Sequence, residues 1–555
     1  MARRRGEVLA TPEPRAAVSA GRLLRVALVS AALSVACAAI ALVALKPRPA
    51  TPVKVTYEVD LSRAARGELV ITMICDGRLP RQLDLVLPPG SFDDPRSAVH
   101  ARDPQAHALG PDGRQVRALK VDESADGWSL RAGRSARTGI VYSLDLRATP
   151  GSEQDVRRHI STPVAGGVRA AGFEIFLEPL GVPVRDLTVV VRNPDDLPVL
   201  VPWPAVVRNG MLPPREEGAT GTDAPGSNAN GTGQRVADAS LGYGQGFRPS
   251  PKATLPPEQG SSAAAAPVPA NLFYHPRDVA DLNNALLVCG DIRTYAAQAG
   301  DCVIQLATDR QWLFSDEAAL DLVRRIARTE MGFFGSAPTD QITVLLSANA
   351  ISGQDRFDVY GVHTGSSVLV MMDTDTTWGM VEDQAASVIA HEMFHGWLGE
   401  AVRQTDPQML WFTEGATTWY AARMLTAAGV WAPEHARGVL GARLDRDYVN
   451  SALRGSLSVA AAAAEIAAPA EQVRFGYAGG VTACMALDEM LAEQGGRARP
   501  LDGILRRLYA EEGRAPLTRE RLEAAVLAAT GVDCGPWLDA HVYGQAALPA
   551  IRSML

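Results

Sequence analysis

The chain has 555 residues, a formal net charge of -8, 47% hydrophobic and 21% charged residues. That is a globular composition with room for about three domains. The acidic balance, with no basic stretch carrying interleaved aromatics after the N-terminal tail, excludes nucleic acid as a partner.

Residues 1–25 hold Arg3, Arg4, Arg5, Arg15, Arg22 and Arg25 and read as a basic cytoplasmic tail. Val26–Leu45 then runs twenty residues without a charge. Twenty helical residues span roughly 30 Å, one bilayer core. The arginine excess before the run predicts a single-pass signal anchor over 26–45, its N-terminus in the cytoplasm and the rest of the chain outside, in the periplasm or at the cell exterior. A cleaved signal peptide is the rival reading, and the long segment before the apolar run speaks against it. Cys37 faintly suggests a lipoprotein site, but the apolar run continues well past it.

From residue 51 to 207 the pattern is short, alternating and punctuated by turns. Strands are expected at Val53–Val59, Glu68–Ile74, Gln82–Leu87, Ile140–Leu146, Gly172–Leu177 and Leu187–Val191, which together predict an all-β sandwich or saddle. His100, His107 and His159 are isolated in it and suggest no chemistry. Residues 208–268 shift to Gly, Pro, Ser, Ala and Thr, too little apolar surface to offset the entropy of ordering, and read as a disordered linker. Asn230-Gly231-Thr232 matches a glycosylation sequon, a short and common pattern.

A catalytic domain is expected over 269–427. Two strand-like runs carrying Cys289 and Cys302 could pair as a hairpin and bring their sulfurs together; Cys484 with Cys534 is a second candidate pair, and buried free thiols are the alternative for all. A helix is expected at Glu317–Met331, and strands at Gln341–Leu346 and Ser366–Met372. A strand on the rim of the cleft would offer a free edge to an extended peptide. Past residue 428 the pattern is helical to 555, with Val459–Ala464, Gly480–Glu493, Leu501–Glu512 and Thr518–Thr530 as segments and Thr518 as a cap.

The chemistry is concentrated in His391-Glu392-Met393-Phe394-His395. A four-residue step on a helix brings two imidazoles to one face a turn apart. Hydrolytic zinc takes three protein ligands and keeps one position for water, which Glu392 can reach as general base. Eighteen residues separate His395 from Glu414, which sits in Trp411-Phe412-Thr413-Glu414-Gly415 and supplies the third ligand if the chain turns back. With nine histidines in the chain, the His-Glu-x-x-His pattern alone arises by chance in on the order of one chain in a hundred, and the spaced glutamate lowers that further. The reading is one zinc ion held by His391, His395 and Glu414.

These residues, with Glu414-Gly415 and Tyr420, resemble the gluzincin aminopeptidases, and the wider layout is similar to the glycyl aminopeptidase family. Further likenesses are Phe333-Phe334-Gly335, Phe475-Gly476-Tyr477-Ala478-Gly479-Gly480 and the closing Trp537–Gly544. The resemblance implies an α+β multidomain chain with a thermolysin-like catalytic domain. It implies His391, His395 and Glu414 as ligands, Glu392 as base and Tyr477 as the donor to the oxyanion. Tyr420 is expected to pack, and Tyr509 is a more remote stand-in for Tyr477. Two departures from the family stand out. Val362 falls where the amino-group-binding glutamate is expected, in a cleft strand whose substrate-binding candidates are Gly361, Val362 and His363, and a C-terminal PDZ module is missing. The expected function is hydrolysis of peptides, as an aminopeptidase. Alternatives are an endopeptidase on short peptides and a non-catalytic metal- or peptide-binding envelope scaffold.

Overall fold

The computed structural model describes residues 51–88, 101–124, 127–132, 135–147, 160–207, 210–211, 271–349, 359–465, 468–496, 498–511 and 515–552. The predicted membrane anchor at 26–45, the sequon and nearly all of the predicted linker lie outside them. No helix among the described residues is long and apolar enough to cross a membrane. The architecture is mixed α+β, with a β-rich part, a catalytic sheet with helices, and a helical C-terminal part.

In the β-rich part, strands such as Val53–Asp60 and Glu68–Asp76 alternate buried and half-buried residues along their length. That is the period of a pleated strand with one face against a core. Seven strands pair in the order Asn271–Tyr274, Val184–Arg192, Val53–Asp60, Glu68–Asp76, Arg137–Asp145, Ala101–Leu109, Gln115–Leu119. Two four-stranded sheets share one apolar core with this sheet, from Val55 and Ile71 to Phe176 and Leu287.

Three expectations change here. Gly172–Ile175 is a helical turn rather than a strand: the Phe176 N–H returns to the Gly172 carbonyl and Ile175 is buried. Asn271–Tyr274 and Leu286–Cys289 complete sheets of the β-rich part, so the catalytic sheet starts at Arg293, beyond the expected boundary at 269. The Cys289–Cys302 hairpin does not form. Leu286–Cys289 pairs with Gly167–Ala171, while Cys302–Thr308 pairs with Arg293–Ala299, so the two sulfurs belong to different sheets. Cys75, Cys289, Cys302, Cys484 and Cys534 are all buried free thiols.

The catalytic sheet runs Arg293–Ala299, Cys302–Thr308, Gln341–Ala348, Ser367–Met372, Val359–Thr364. Among the described residues Val359–Thr364 pairs with Ser367–Met372, antiparallel, and is one of the sheet's two edge strands, Arg293–Ala299 being the other; the strand at Ser367–Met372 is internal. One face of this sheet carries the helix Asp316–Phe334, capped by Ser315, and the helix bearing His391. The other face packs Leu345, Val362, Leu369 and Met371 against Ile160, Ala171, Leu286 and Val288 of the β-rich part. At this seam the buried guanidinium of Arg169 donates to the Ile160 carbonyl at 2.9 Å and to Ser347, whose hydroxyl donates to Asp309.

The C-terminal part is helical as expected, with Pro433–Leu444, Val459–Ala464, Ala470–Gly495, Pro500–Ala510, Arg519–Thr530 and Gly535–His541. Thr518 caps its helix through Arg521 N–H. The segment expected to open a helix at Phe475–Gly480 lies inside the longer Ala470–Gly495, which packs along Leu410–Ala427 in one continuous core.

Candidate active site

His391, Glu392 and His395 stand at the end of a helix that starts at Trp378, contains a π-helical turn at Val381–Ala385 and continues through Ala386–Phe394. Such turns concentrate at functional sites. Ala386, Ile389, Ala390, Met393 and Phe394 are buried in the core, which leaves both imidazoles on the other face. Glu414 arrives from Leu410–Ala427. The chain enters that helix through Pro407–Met409, whose cap Asp406 accepts from Gln408 N–H at 2.9 Å. The Glu414 helix is apolar on nearly every side, as a helix inside a core must be, and Glu414 is 6% exposed.

The Nε2 atoms of His391 and His395 are 3.1 Å apart. Glu414 lies 3.2 Å from His391 Nε2 and 3.5 Å from His395 Nε2. Zinc ligands at about 2.0–2.1 Å in a tetrahedron stand roughly 3.3 Å from one another, so these three edges fit a single ion. The outer ring nitrogens agree. His395 Nδ1 faces the Leu398 carbonyl at 3.0 Å, and since a carbonyl only accepts, Nδ1 carries the proton and Nε2 turns its lone pair inward. His391 Nδ1 is held by Thr418 Oγ1 at 3.2 Å. This is the outer support that orients zinc-binding imidazoles. The three residues are also the cluster among the described residues whose ligand atoms gather within 4.8 Å.

Burial pushes the Glu414 carboxyl up, but His395 and His391 more than offset it and hold the group below the usual carboxylate range. Glu392 behaves oppositely: burial raises its carboxyl, the two histidines pull it down only in part, and the His363 backbone N–H holds it. A carboxyl raised from its ordinary value suits proton transfer in both directions. Tyr477, from Ala470–Gly495, keeps its proton, because burial followed by Glu414, Tyr360 and Glu392 pushes the hydroxyl well up. It is therefore a neutral donor.

These groups line a cavity of about 280 Å³. Val359, Tyr360 and Gly361 of the edge strand form one wall, and Trp431, Val439, Leu440 and Arg443 another. Of the three substrate-binding candidates on the cleft strand, only Gly361 faces this cavity. Val362 is 1% exposed and spent in the seam with the β-rich part. His363 points past the catalytic helix into a separate cavity with Met393, Gly396 and Glu400. Burial, with His395 adding, pushes His363 down to about 3, so it is neutral. Strand alternation accounts for the 361–362 split; reading it from the sequence requires knowing which face is buried.

Tyr420 packs as expected and donates to Asp502 at 2.6 Å. Tyr509 binds the Ala337 carbonyl at 2.8 Å, away from the cleft. Two residues of the site escape a reading of the sequence. Thr418 lies one helical turn after Glu414 and is discoverable from the 3.6 period, whereas no local pattern signals Arg443.

Residues 355–473 match the family model described as the peptidase family M1 domain. No curated protein sequence matches the chain. Among solved structures, an aminopeptidase N family protein from Idiomarina loihiensis is similar at 13% identity and a TM-score of 0.65, over 89% of this chain and 77% of that one. An M1 zinc metallopeptidase variant from Deinococcus radiodurans bound to a Tyr-Ser-Ala substrate is similar at 14% identity and a TM-score of 0.51, over 91% and 96%. At these identities the structural likeness establishes the fold, and the family model covers the segment with the zinc ligands. Both agree with the gluzincin resemblance read from the sequence. Residues 355–473 are thus similar to the peptidase family M1 domain, and with His391, His395 and Glu414 gathered there the chain is a zinc metallopeptidase with a single catalytic zinc ion.

Proposed function

We propose that this zinc metallopeptidase hydrolyses short peptides as an aminopeptidase, anchored in the membrane by residues 26–45 with its catalytic part outside the cytoplasm. The observation that carries the peptidase reading is a carboxylate beside a three-residue cluster that could hold a metal: Glu392 lines the same cavity as His391, His395 and Glu414. A site that only stored metal would have no use for it.

His391, His395 and Glu414 would hold the zinc, which supplies a Lewis acid and makes water a nucleophile near neutral pH. Glu392 takes a proton from the attacking water and returns it to the leaving nitrogen, a shuttle suited to its raised carboxyl. Tyr477 donates its hydroxyl hydrogen to the carbonyl oxygen as negative charge develops there. The Val359–Thr364 edge strand, which lines the cavity through Val359, Tyr360 and Gly361, would receive an extended peptide.

Aminopeptidase specificity rests on the kinship of the fold. An endopeptidase reading has its own support: Val362 is turned into the domain seam, and the carboxylates lining the cavity are Glu392 and Glu414, both engaged in the chemistry. The test is a peptide library incubated with zinc-loaded protein and read by mass spectrometry, with free and N-acetylated members. Cleavage confined to free N-termini supports the aminopeptidase. Equal cleavage of acetylated peptides moves the assignment to an endopeptidase, and no cleavage at all removes the peptidase reading.

A further inference from the structure

The cleft contains an arginine that has no hydrogen-bond or ion-pair partner among the described residues. Arg443, near the end of the helix Pro433–Leu444, lines the zinc cavity and is half-buried beside Leu440 and Tyr477. No hydrogen bond or ion pair ties its guanidinium to any described residue. Asp447, one helical turn on, is the first anion to look for, and it is already taken by Arg446 at 2.6 Å and Arg474 at 3.6 Å. Glu414 and Glu392, the carboxylates on the cavity wall, face the metal position.

Arginine does not shed its charge by losing its proton, so this half-buried guanidinium presents a permanent cation to whatever enters the cavity. Burial lowers its proton affinity, with Asp447, Tyr477 and Glu414 pulling the other way. Its neighbours Trp431, Val439 and Leu440 add an apolar wall that strengthens any ion pair formed there. The planar guanidinium is built to take a carboxylate through two parallel hydrogen bonds.

We propose that Arg443 is a specificity determinant that anchors a carboxylate of the peptide substrate inside the zinc cleft. The proposal rests on the peptidase reading above and adds the charge of the preferred substrate: an anion. The opposite wall, Val359–Tyr360–Gly361, carries no carboxylate for an ammonium group. The cleft is therefore charged for the acidic part of a peptide. A free C-terminus close to the scissile bond and an acidic side chain are the two sources of this one chemistry.

The test uses the zinc-loaded full chain and matched tri- and tetrapeptides. One arm compares free-acid with amidated C-termini; the other compares Glu with Gln at each position flanking the cleaved bond. Charge-assisted hydrogen bonds of this kind lead to an expected preference of roughly tenfold to a hundredfold in kcat/KM for the anionic member in one arm, which names the source. Arg443→Gln abolishes that preference while zinc content stays stoichiometric, and Arg443→Lys keeps part of it. No preference in either arm for the native protein, or a preference that survives Arg443→Gln, overturns the proposal. If Arg443→Gln does not fold, the native protein and Arg443→Lys still decide. Titration of the same peptides into zinc-loaded Glu392→Gln protein reads the anchor by affinity without turnover. Failure of the peptidase reading, with nothing cleaved, is thus distinguishable from failure of the anchor.

Discussion

A Cβ on Gly415 would fall 2.3 Å from the carbonyl carbon of Gly480, and a Cβ on Gly480 would fall 2.3 Å from the carbonyl oxygen of Trp411. The helices Leu410–Ala427 and Ala470–Gly495 therefore cross with their backbones in contact. Glu414 and Tyr477 stand one and three residues from this crossing, on the two helices, and both line the zinc cavity. The crossing sets the distance between the expected third ligand and the expected oxyanion donor.

Gly415→Ala is accordingly expected to do more than destabilise. Overpacking of this kind costs about 1–3 kcal/mol, visible as a lower Tm. The helices can relieve the clash only by separating, which draws Glu414 off the metal position. Zinc content after dialysis against a weak chelator should fall relative to the native protein. A variant with lowered Tm and unchanged zinc retention would show that the crossing does not position the ligand.

Glu392→Gln preserves size and leaves His391, His395 and Glu414 untouched, so zinc should remain stoichiometric. Hydrolysis should fall by about 10²–10⁴, the usual share of a general acid–base group. Removing zinc from the native protein with a strong chelator should abolish activity, and adding zinc back should restore it. Activity of Glu392→Gln within tenfold of native would assign the base elsewhere.

The ligand set is legible in the amino-acid sequence because helical spacing converts directly into geometry: His391 and His395 have to share a face, and Glu414 follows from the turn-rich stretch between the helices. Thr518 as a cap and the alternation of Val53–Val59 are legible for the same local reason. What depends on tertiary partners is not. The Cys289 strand reads like one half of a hairpin, yet its partner Gly167–Ala171 lies more than a hundred residues back. Val362 and Gly361 are adjacent in sequence and face different domains, which only the seam at Ile160 and Leu286 decides. Arg443 has no pattern of its own; its meaning comes from the cavity it lines with Tyr477 and Glu414.

Tyr477→Phe removes the hydroxyl proposed as the oxyanion donor, which would act only as the tetrahedral intermediate forms. Loss of one oxyanion donor costs about 10²–10³ in kcat with KM little changed. Steady-state kinetics at saturating zinc separate this from packing: a purely structural tyrosine would show unchanged kcat and a lowered Tm.

Glu330 offers a test of stability that leaves the site alone. It is fully buried on Asp316–Phe334, and neither carboxyl oxygen has a hydrogen-bond partner among the described residues. Burial pushes its carboxyl well above the ordinary value. The unfolded chain releases this proton near about 4.3, whereas the folded chain keeps it to higher pH. Above that ordinary value the folded state binds more protons, so this residue's contribution to stability declines as pH rises. Glu330→Met should be about 1–3 kcal/mol more stable than the native protein at pH 8, with the gap narrowing toward pH 4. Calorimetric Tm measured across that range checks it; a gap independent of pH would mean that Glu330 has a partner in solution.

The cleft strand lies close against the expected base. A Cβ added at Gly361 would sit 2.4 Å from Val388 Cγ1, 2.6 Å from Glu392 Cγ and 2.9 Å from Glu392 Oε1. The lack of a side chain at 361 is what allows this edge strand to lie directly over Glu392. Gly361→Ala must push the strand outward or turn Glu392 aside. Misplacement of about 1 Å at a reacting group can cost on the order of a hundredfold, so kcat should drop by roughly tenfold to a hundredfold. The atoms nearest the new methyl group belong to Val388 and Glu392 rather than to His391, His395 or Glu414, and zinc content should hold. Peptide affinity measured on a Glu392→Gln background separates the two routes. A weakened Kd there places the shift in the strand that receives substrate, whereas an unchanged Kd places it in the base. A variant with native kcat and native Kd would show that the sheet edge yields without consequence, and that Gly361 does not set the position of Glu392.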